Sequence, residues 1–185
     1  LARAYREFPA ESGAHDVVGV HLCCRVIGDA HPGDLVGYAL GPTGATAWAG
    51  RLAGSPSLPT AIEAAALSRV LQHRLARETV DEVLHEVQRV FPLHRLEAAT
   101  WRPDTLPEVR VHQFEARPDG TTDRRTRRCT LGTAALVLRP LAGASAELVD
   151  AWVELFCHLP AGQLIEDISQ ALAPPLSGPL VVLSV

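Results

Sequence analysis

The chain contains no lysine, methionine or asparagine, so all 17 of its basic residues are arginine. The missing residues have AT-rich codons, and the abundant Ala, Leu, Arg, Gly and Pro are typical of a GC-rich bacterial gene. Twenty-one acidic residues outnumber the arginines and give a net charge of −4. This balance argues against a general nucleic-acid-binding protein.

Long apolar runs are also lacking, although 47% of the residues are hydrophobic and 21% are charged. No run reaches the length of about 18 residues that a membrane-spanning helix needs. The segment from Leu1 lacks the apolar core of a secretory signal, so we expect a cytoplasmic protein of ordinary globular composition. Because the numbering starts at Leu1 instead of Met, we also expect residues upstream.

Only four cysteines are present, two of them adjacent at Cys23 and Cys24. Adjacent cysteines cannot form the usual zinc hook, which has intervening residues between its ligands. On a strand they point to opposite faces, which predicts one thiol in the core and one at the surface. His21 shares a face with Cys23, but zinc needs three or four protein ligands. We therefore predict no metal site and no cofactor.

Hydrophobic periodicity and turn residues predict an α+β protein with a mainly antiparallel sheet. Thr60 is the predicted N-cap of a largely buried helix, with Glu63 completing a capping box. The predicted strands are 16–27, 35–40, 45–52, 96–101, 109–116, 129–138 and 180–185, and the predicted helices are 61–77, 80–90, 144–158 and 161–172.

The segment ahead of the first helix carries Trp48, Gly50, Gly54, Pro56 and Pro59 in a distinctive spacing. This spacing resembles the active-site segment of hot-dog-fold 3-hydroxyacyl-[acyl carrier protein] dehydratases, with Leu52 in place of the family's Phe. Upstream, the run Leu22-Cys-Cys-Arg-Val-Ile27 followed by Pro32-Gly33 resembles another strand and turn of that family. The resemblance implies a curved antiparallel sheet wrapped around a central helix, and it implies that Trp48, Gly50, Arg51, Leu52, Gly54, Pro56, Pro59 and Ile62 line a substrate tunnel.

Both catalytic positions of that family are altered in this chain. Arg51 stands where the family has its His, and Ala65 stands where it has its acid. A guanidinium remains protonated and is a poor base, while Ala has no proton to give. The resemblance therefore implies a dehydratase-like subunit of fatty-acid or polyketide-type biosynthesis that works with a catalytic partner, as a homo- or heterodimer with a related hot-dog subunit.

Arg124, Arg125, Arg127 and Arg128 form the dense basic cluster of an otherwise acidic chain. Such a patch would steer association with an acidic partner, and acyl carrier proteins are acidic. The cluster is therefore a candidate docking site for an acyl carrier protein. A solvated hairpin arm is the alternative interpretation, because runs of charge at hairpin tips are common.

The expected organisation is a hot-dog-like domain over 1–141 with a helical extension over 142–185 packed on it. Two other functions remain open at this point. One is a non-catalytic scaffold protein that stabilises a biosynthetic complex. The other is a hot-dog thioesterase or isomerase that uses different residues, such as Arg51 or a nearby His.

Overall fold

The computed structural model describes residues 13–27, 31–117, 119–132, 135–138, 151, 159–172 and 177–185. Within these ranges the chain forms nine strands and three assigned helices. In chain order they are β1 Gly13–Val17, β2 Val20–Ile27, β3 Asp34–Leu40, β4 Ala45–Leu52, α1 Leu58–Leu75, α2 Val80–Val90, β5 Leu93–Trp101, β6 Glu108–Ala116, β7 Thr122–Thr130, β8 Leu136–Leu138, α3 Ala161–Leu172 and β9 Gly178–Ser184.

The strands form two antiparallel sheets. One has four strands in the order β1-β2-β9-β8, and the other has five in the order β3-β4-β5-β6-β7. The five-stranded sheet is a meander apart from α1 and α2, which lie between β4 and β5 in the chain. In the four-stranded sheet, β9 lies between β2 and β8, so the end of the chain completes a sheet begun near its start.

The two sheets face each other across an apolar core. Alternate side chains of both sheets fill it, among them Leu22, Cys24, Ala47, Val111 and Val181, all with at most 1% of their surface exposed. Trp101 also lies in this core and donates its indole N–H to the carbonyl of Val17 at 3.2 Å. The small side chains of β4 in this layer allow the sheets to approach closely.

Helices cover the two outer faces. The apolar stripes of α1 and α2, which include Leu67, Leu71 and Val83, pack with Trp48 and Phe114 of the five-stranded sheet. The helix α3 packs on the four-stranded sheet instead. The molecule is therefore layered helix, sheet, sheet, helix, so that each helical layer buries one apolar face and each sheet is covered on both faces.

This layering shows that the predicted hot-dog fold is wrong. In a hot-dog fold one curved sheet surrounds the helix, whereas α1 lies on the outside of a sheet whose other face meets a second sheet. Only one stripe of α1 is buried, and Ile62 and Ala66 are exposed on its other side. The alanines of this helix are compatible with either environment, which is why its composition suggested burial on most sides.

The start of α1 also differs from the prediction. The helix begins at Leu58, and its N-cap is Ser57, whose side chain accepts the backbone N–H of Thr60 at 3.3 Å. Thr60 is inside the first turn, and Glu63 forms no capping box there. The capping box belongs to α2, where Thr79 and Glu82 satisfy each other's backbone N–H groups.

Cys23 and Cys24 do point to opposite faces of β2, but both are buried. Cys24 lies between the sheets and Cys23 lies under α3, so the prediction of a surface thiol was wrong. The reason is that both faces of this sheet are covered. Burial also raises the pKa of the Cys23 thiol, which keeps it protonated and unreactive.

The predicted strand 129–138 is two strands, β7 and β8, and the arginine run belongs to β7. The predicted helix 161–172 and the terminal strand are confirmed. The predicted helix 144–158 lies almost wholly outside the described residues, and the division at residue 141 stays a prediction. Among the helices that the structure describes, none is long and apolar enough to cross a membrane.

Candidate functional site

A largely buried ion pair between Asp34 and Arg51 lies where β3 begins and β4 ends. Asp34 begins β3, and its register partner on β4 is Arg51. Arg51 grips the carboxylate with two donors: Nε lies 2.5 Å from Oδ1, and Nη2 lies 3.0 Å from Oδ2. The Asp34 side chain is 1% exposed and that of Arg51 is 26% exposed. This two-pronged geometry is the strong form of a carboxylate–guanidinium contact.

The turn before β3 completes the coordination of the carboxylate. The backbone N–H of His31 donates to Asp34 Oδ2 at 2.9 Å, and the carbonyl of His31 accepts the backbone N–H of Asp34 at 2.9 Å. His31 Nδ1 accepts the backbone N–H of Gly33 at 3.0 Å, so the ring is held in the turn. Both carboxylate oxygens of Asp34 are thus occupied by donors from the chain itself.

The N-terminal end of α1 lies beside this turn. A Cβ at Gly33 would lie 3.1 Å from Thr60 Cγ2 and 3.2 Å from Leu52 Cβ, so glycine permits this close approach. The hydroxyl of Thr60 donates to the carbonyl of Ser55 at 3.0 Å and lies 2.8 Å from the hydroxyl of Ser57. On the solvent side, Leu58 and Ile62 are 51% and 61% exposed.

The structure places the residues of the Gly/Pro motif in several different environments. Trp48 and Leu52 are buried in the layer between the sheet and α1, while Arg51 holds Asp34. Pro59 is exposed near the start of α1 and Ile62 is exposed on its outer side, while Ala65 is half-buried. The tunnel role of these residues depended on the dehydratase resemblance and stays an untested prediction.

Local packing and backbone conformation account for the glycines and prolines of this segment. A Cβ at Gly50 would lie 2.8 Å from Leu96 Cδ1 and 2.9 Å from Leu35 Cδ1, so a larger residue there would displace these side chains. Gly54 has a φ of +120°, which favours glycine. Pro56 is exposed in the connection, and Pro59 occupies the first turn of α1, where a missing N–H costs nothing.

The predicted docking arginines all lie on β7, which is an edge strand of the five-stranded sheet. Arg124, Arg125, Arg127 and Arg128 are all exposed. Arg125 binds Asp123 at 2.8 Å, and Arg128 Nε lies 3.6 Å from Glu108 Oε1. They are thus part of a paired strand and not of a solvated arm beyond the sheet.

Comparison with solved structures identifies the class of fold. The chain is similar to RsbX in complex with magnesium, with a TM-score of 0.61 and 8% identity over 94% of this chain and 96% of that one. It is also similar to the RsbU and RsbW domains of a Mycobacterium tuberculosis protein, with a TM-score of 0.58 and 15% identity over 89% of this chain. This chain spans 60% of that second one. No protein-family model and no curated protein matches the sequence.

These similarities overturn the functional expectations that followed from the hot-dog resemblance. The similar structures are RsbX and RsbU/RsbW domains, not hot-dog dehydratases, so the resemblance to that family was wrong. The dehydratase activity, the role in fatty-acid or polyketide biosynthesis and the acyl carrier protein as partner are corrected with it. At these identities the comparison establishes the fold of this chain and leaves its activity to be argued from its own residues.

Magnesium is named with one similar structure, but the residues of this chain do not suit that ion. Magnesium takes oxygen ligands, usually one or two carboxylates with water. The Asp34 carboxylate is buried, and its oxygens already accept from Arg51 and from the His31 backbone. Within the described ranges, no three His, Cys, Asp or Glu residues cluster so as to hold a metal. A guanidinium beside the carboxylate also repels a cation, so these residues do not fit the ion.

Sequence reasoning named Arg51 but missed Asp34 and His31. Both residues flank the Pro32-Gly33 turn, where polar residues are common for local reasons. A useful signal was available: Asp34 and Arg51 are the first and seventh residues of strands that pair as a hairpin, and they carry opposite charges. Pairing the two predicted strands antiparallel about the turn at Gly41–Gly44 would have placed these residues opposite each other.

Proposed function

We propose that this chain is a regulatory domain that acts by binding a protein partner and not by metal-dependent hydrolysis of phosphate esters. Its fold is similar to RsbX and to RsbU and RsbW domains. These neighbours are partner-switching regulators, which comprise phosphatase and anti-sigma factor domains. The regulatory role is inferred from these neighbours. The lack of metal-dependent chemistry is inferred from the residues of this chain.

The ion pair between Asp34 and Arg51 is the observation that carries the proposal. A divalent cation needs carboxylate oxygens that are free to bind it, and the guanidinium occupies those of Asp34. The positive charge is covalently part of the chain, so it cannot exchange with solvent. A site of this kind has no open position for an ion-activated water. The surface beside the ion pair can still be recognised by a partner protein, because hydrogen bonds fix the conformation of the turn before β3 and of the first turn of α1.

The test measures both halves of the proposal. The purified chain is mixed with an RsbW-type domain encoded in the same genome, and complex formation is followed by calorimetry and light scattering. In parallel, phosphate release from a phosphoserine peptide is measured with Mg²⁺ or Mn²⁺. We expect a one-to-one complex and no release above the buffer rate. Cation-dependent release that disappears in Asp34→Asn would contradict the proposal, as would failure to bind the RsbW-type domain.

A further inference from the structure

Strand β7 is an edge strand of the five-stranded sheet. It pairs with β6 through nine register positions, from Glu108 opposite Thr130 to Ala116 opposite Thr122. No other described strand pairs with its outer edge. An open edge presents backbone N–H and C=O groups that can pair with another chain. Strand β7 is nine residues long, and each of its residues is exposed or half-buried.

The arginines of β7 project on both sides of the strand. Arg127 lies opposite Val111, which belongs to the core between the sheets, and Arg124 lies opposite Phe114, which belongs to the core under the helices. Because partners across a ladder share a face, Arg127 and Arg124 point to opposite sides. Both side chains are exposed, and neither forms an ion pair with another described residue. Any segment added beside β7 would meet a positive charge on either face.

Like charges lie opposite each other between β7 and β6 at one register position. Arg128 lies directly opposite Arg110 on β6, and like charges at such positions are destabilising. The basic character thus extends inward from the open edge to a second strand, although the whole chain carries a net charge of −4. A local excess of one charge on a surface of opposite net charge favours an acidic partner.

A second copy of the chain is a poor occupant of this edge. Two β7 strands side by side would bring arginines against arginines, which is a recognised way to prevent sheets from joining. An acidic strand instead gains ladder hydrogen bonds and charge pairs together. Addition of a strand to an open edge is an established mode of peptide recognition.

We propose that β7 is a docking edge for an extended acidic segment of a partner protein. The segment adds to the five-stranded sheet as a sixth strand, and its carboxylates pair with Arg124 and Arg127. This inference rests on the proposed function in taking the ligand to be a protein, and it names the chemistry of the segment that binds. Arg125 and Arg128, which contact Asp123 and Glu108, add to the positive field.

The experiment uses a fluorescein-labelled peptide as long as β7 whose glutamates are spaced three residues apart, so that its carboxylates lie on both faces of the added strand, as Arg124 and Arg127 do. Its anisotropy is followed at about 150 mM NaCl, where long-range charge effects are screened. Arg124→Ala/Arg127→Ala is the test variant. Arg69→Ala/Arg89→Ala removes two exposed arginines from α1 and α2 and is the charge-matched control. Thermal unfolding verifies that both variants fold. We expect the test variant to weaken binding at least about tenfold, which is about 1.4 kcal/mol, and the control to leave it within about twofold.

A second peptide of the same charge carries N-methyl groups along its backbone and cannot form ladder hydrogen bonds. Strand addition predicts that it does not bind. Equal binding of the two peptides, or equal weakening by both variants, would overturn the proposal. So would stronger competition by single-stranded DNA of equal charge, which would identify a nucleic-acid surface. Binding of the RsbW-type domain without binding of the peptide would reject this docking edge alone and leave the proposed function standing.

Discussion

Asp34 and Arg51 face each other across β3 and β4, and the guanidinium of Arg51 supplies the positive charge that the buried carboxylate of Asp34 requires. The contact has a short Nε–Oδ1 distance of 2.5 Å. It also ties together the turn before β3 and the end of β4, from which the chain runs into α1.

Arg51→Ala is expected to destabilise the protein by about 1–3 kcal/mol, because it leaves a buried carboxylate without its main donor. Asp34→Ala/Arg51→Ala is expected to cost less than the sum of the two single changes, since the pair is coupled. Urea denaturation of the four proteins gives the coupling free energy. Arg89→Ala on α2 is the control. Strict additivity would show that the two residues do not interact.

Gly50→Ala is expected to destabilise the protein by about 1–3 kcal/mol, as other overpacked cores are. The added methyl would lie 2.8 Å from Leu96 Cδ1 and 2.9 Å from Leu35 Cδ1, the residues that flank Gly50 on the two neighbouring strands, and would force these buried side chains to move. Gly132→Ala is the matched control, since nothing lies within 4 Å of a Cβ there. The midpoints of thermal unfolding of the two variants are compared. Equal midpoints would refute the packing described around β4.

Ser57→Ala removes the cap of α1 and is expected to cost about 1 kcal/mol. Glu63→Ala is expected to change stability by less than about 0.5 kcal/mol, because Glu63 is exposed and caps nothing. Chemical denaturation compares the two variants. A larger loss in Glu63→Ala than in Ser57→Ala would support the N-cap at Thr60 and the capping box with Glu63 that the sequence predicted.

Burial lowers the pKa of His112 below its usual 6.5, and nearby Arg110 acts in the same direction, while Asp81 at 3.6 Å opposes them. The unfolded chain therefore takes up a proton near pH 6.5, before the folded chain does. The free energy of unfolding should fall as pH drops from about 6.5 towards the lower folded pKa, by at most about 1.4 kcal/mol per pH unit.

His112→Gln should flatten this pH dependence between pH 7.5 and 5.5, as measured by urea denaturation. Hydrogen bonds from Arg74 lower the pKa of Glu78, and hydrogen bonds from Thr79 lower that of Glu82, so both carboxyl groups titrate outside this window. His85→Gln, on the exposed side of α2, is the control. An unchanged slope in His112→Gln would contradict the buried, neutral state of this side chain.

Local structure was largely predictable from the sequence, and the arrangement of the layers was not. Turn residues and periodicity predicted most strands and the helices over 161–172 and 80–90, because these depend on neighbours in the chain. The placement of β9 between β2 and β8 joins residues more than 150 positions apart, and no local pattern encodes it. Without knowledge of this pairing, the same strands are equally compatible with a single sheet wrapped around α1.

The candidate site shows the same division. The Gly and Pro spacing from Gly50 to Pro59 was real, but it reflects a crowded strand, a turn and a helix start, and these also occur in unrelated folds. The role of Arg51 became clear only with its partner: alone it was a lost catalytic residue, and opposite Asp34 it neutralises a buried charge. The basic run was recognised, but its position on an open edge required the strand order.

Binding of magnesium to the wild-type chain tests the central claim most directly. Calorimetric titration is combined with thermal unfolding with and without about 10 mM MgCl₂, since an ion that binds the folded state must raise its stability. The account predicts no saturable heat and an unchanged unfolding midpoint, because Arg51 already neutralises Asp34. A saturable heat with a raised midpoint, both lost in Asp34→Asn, would contradict it.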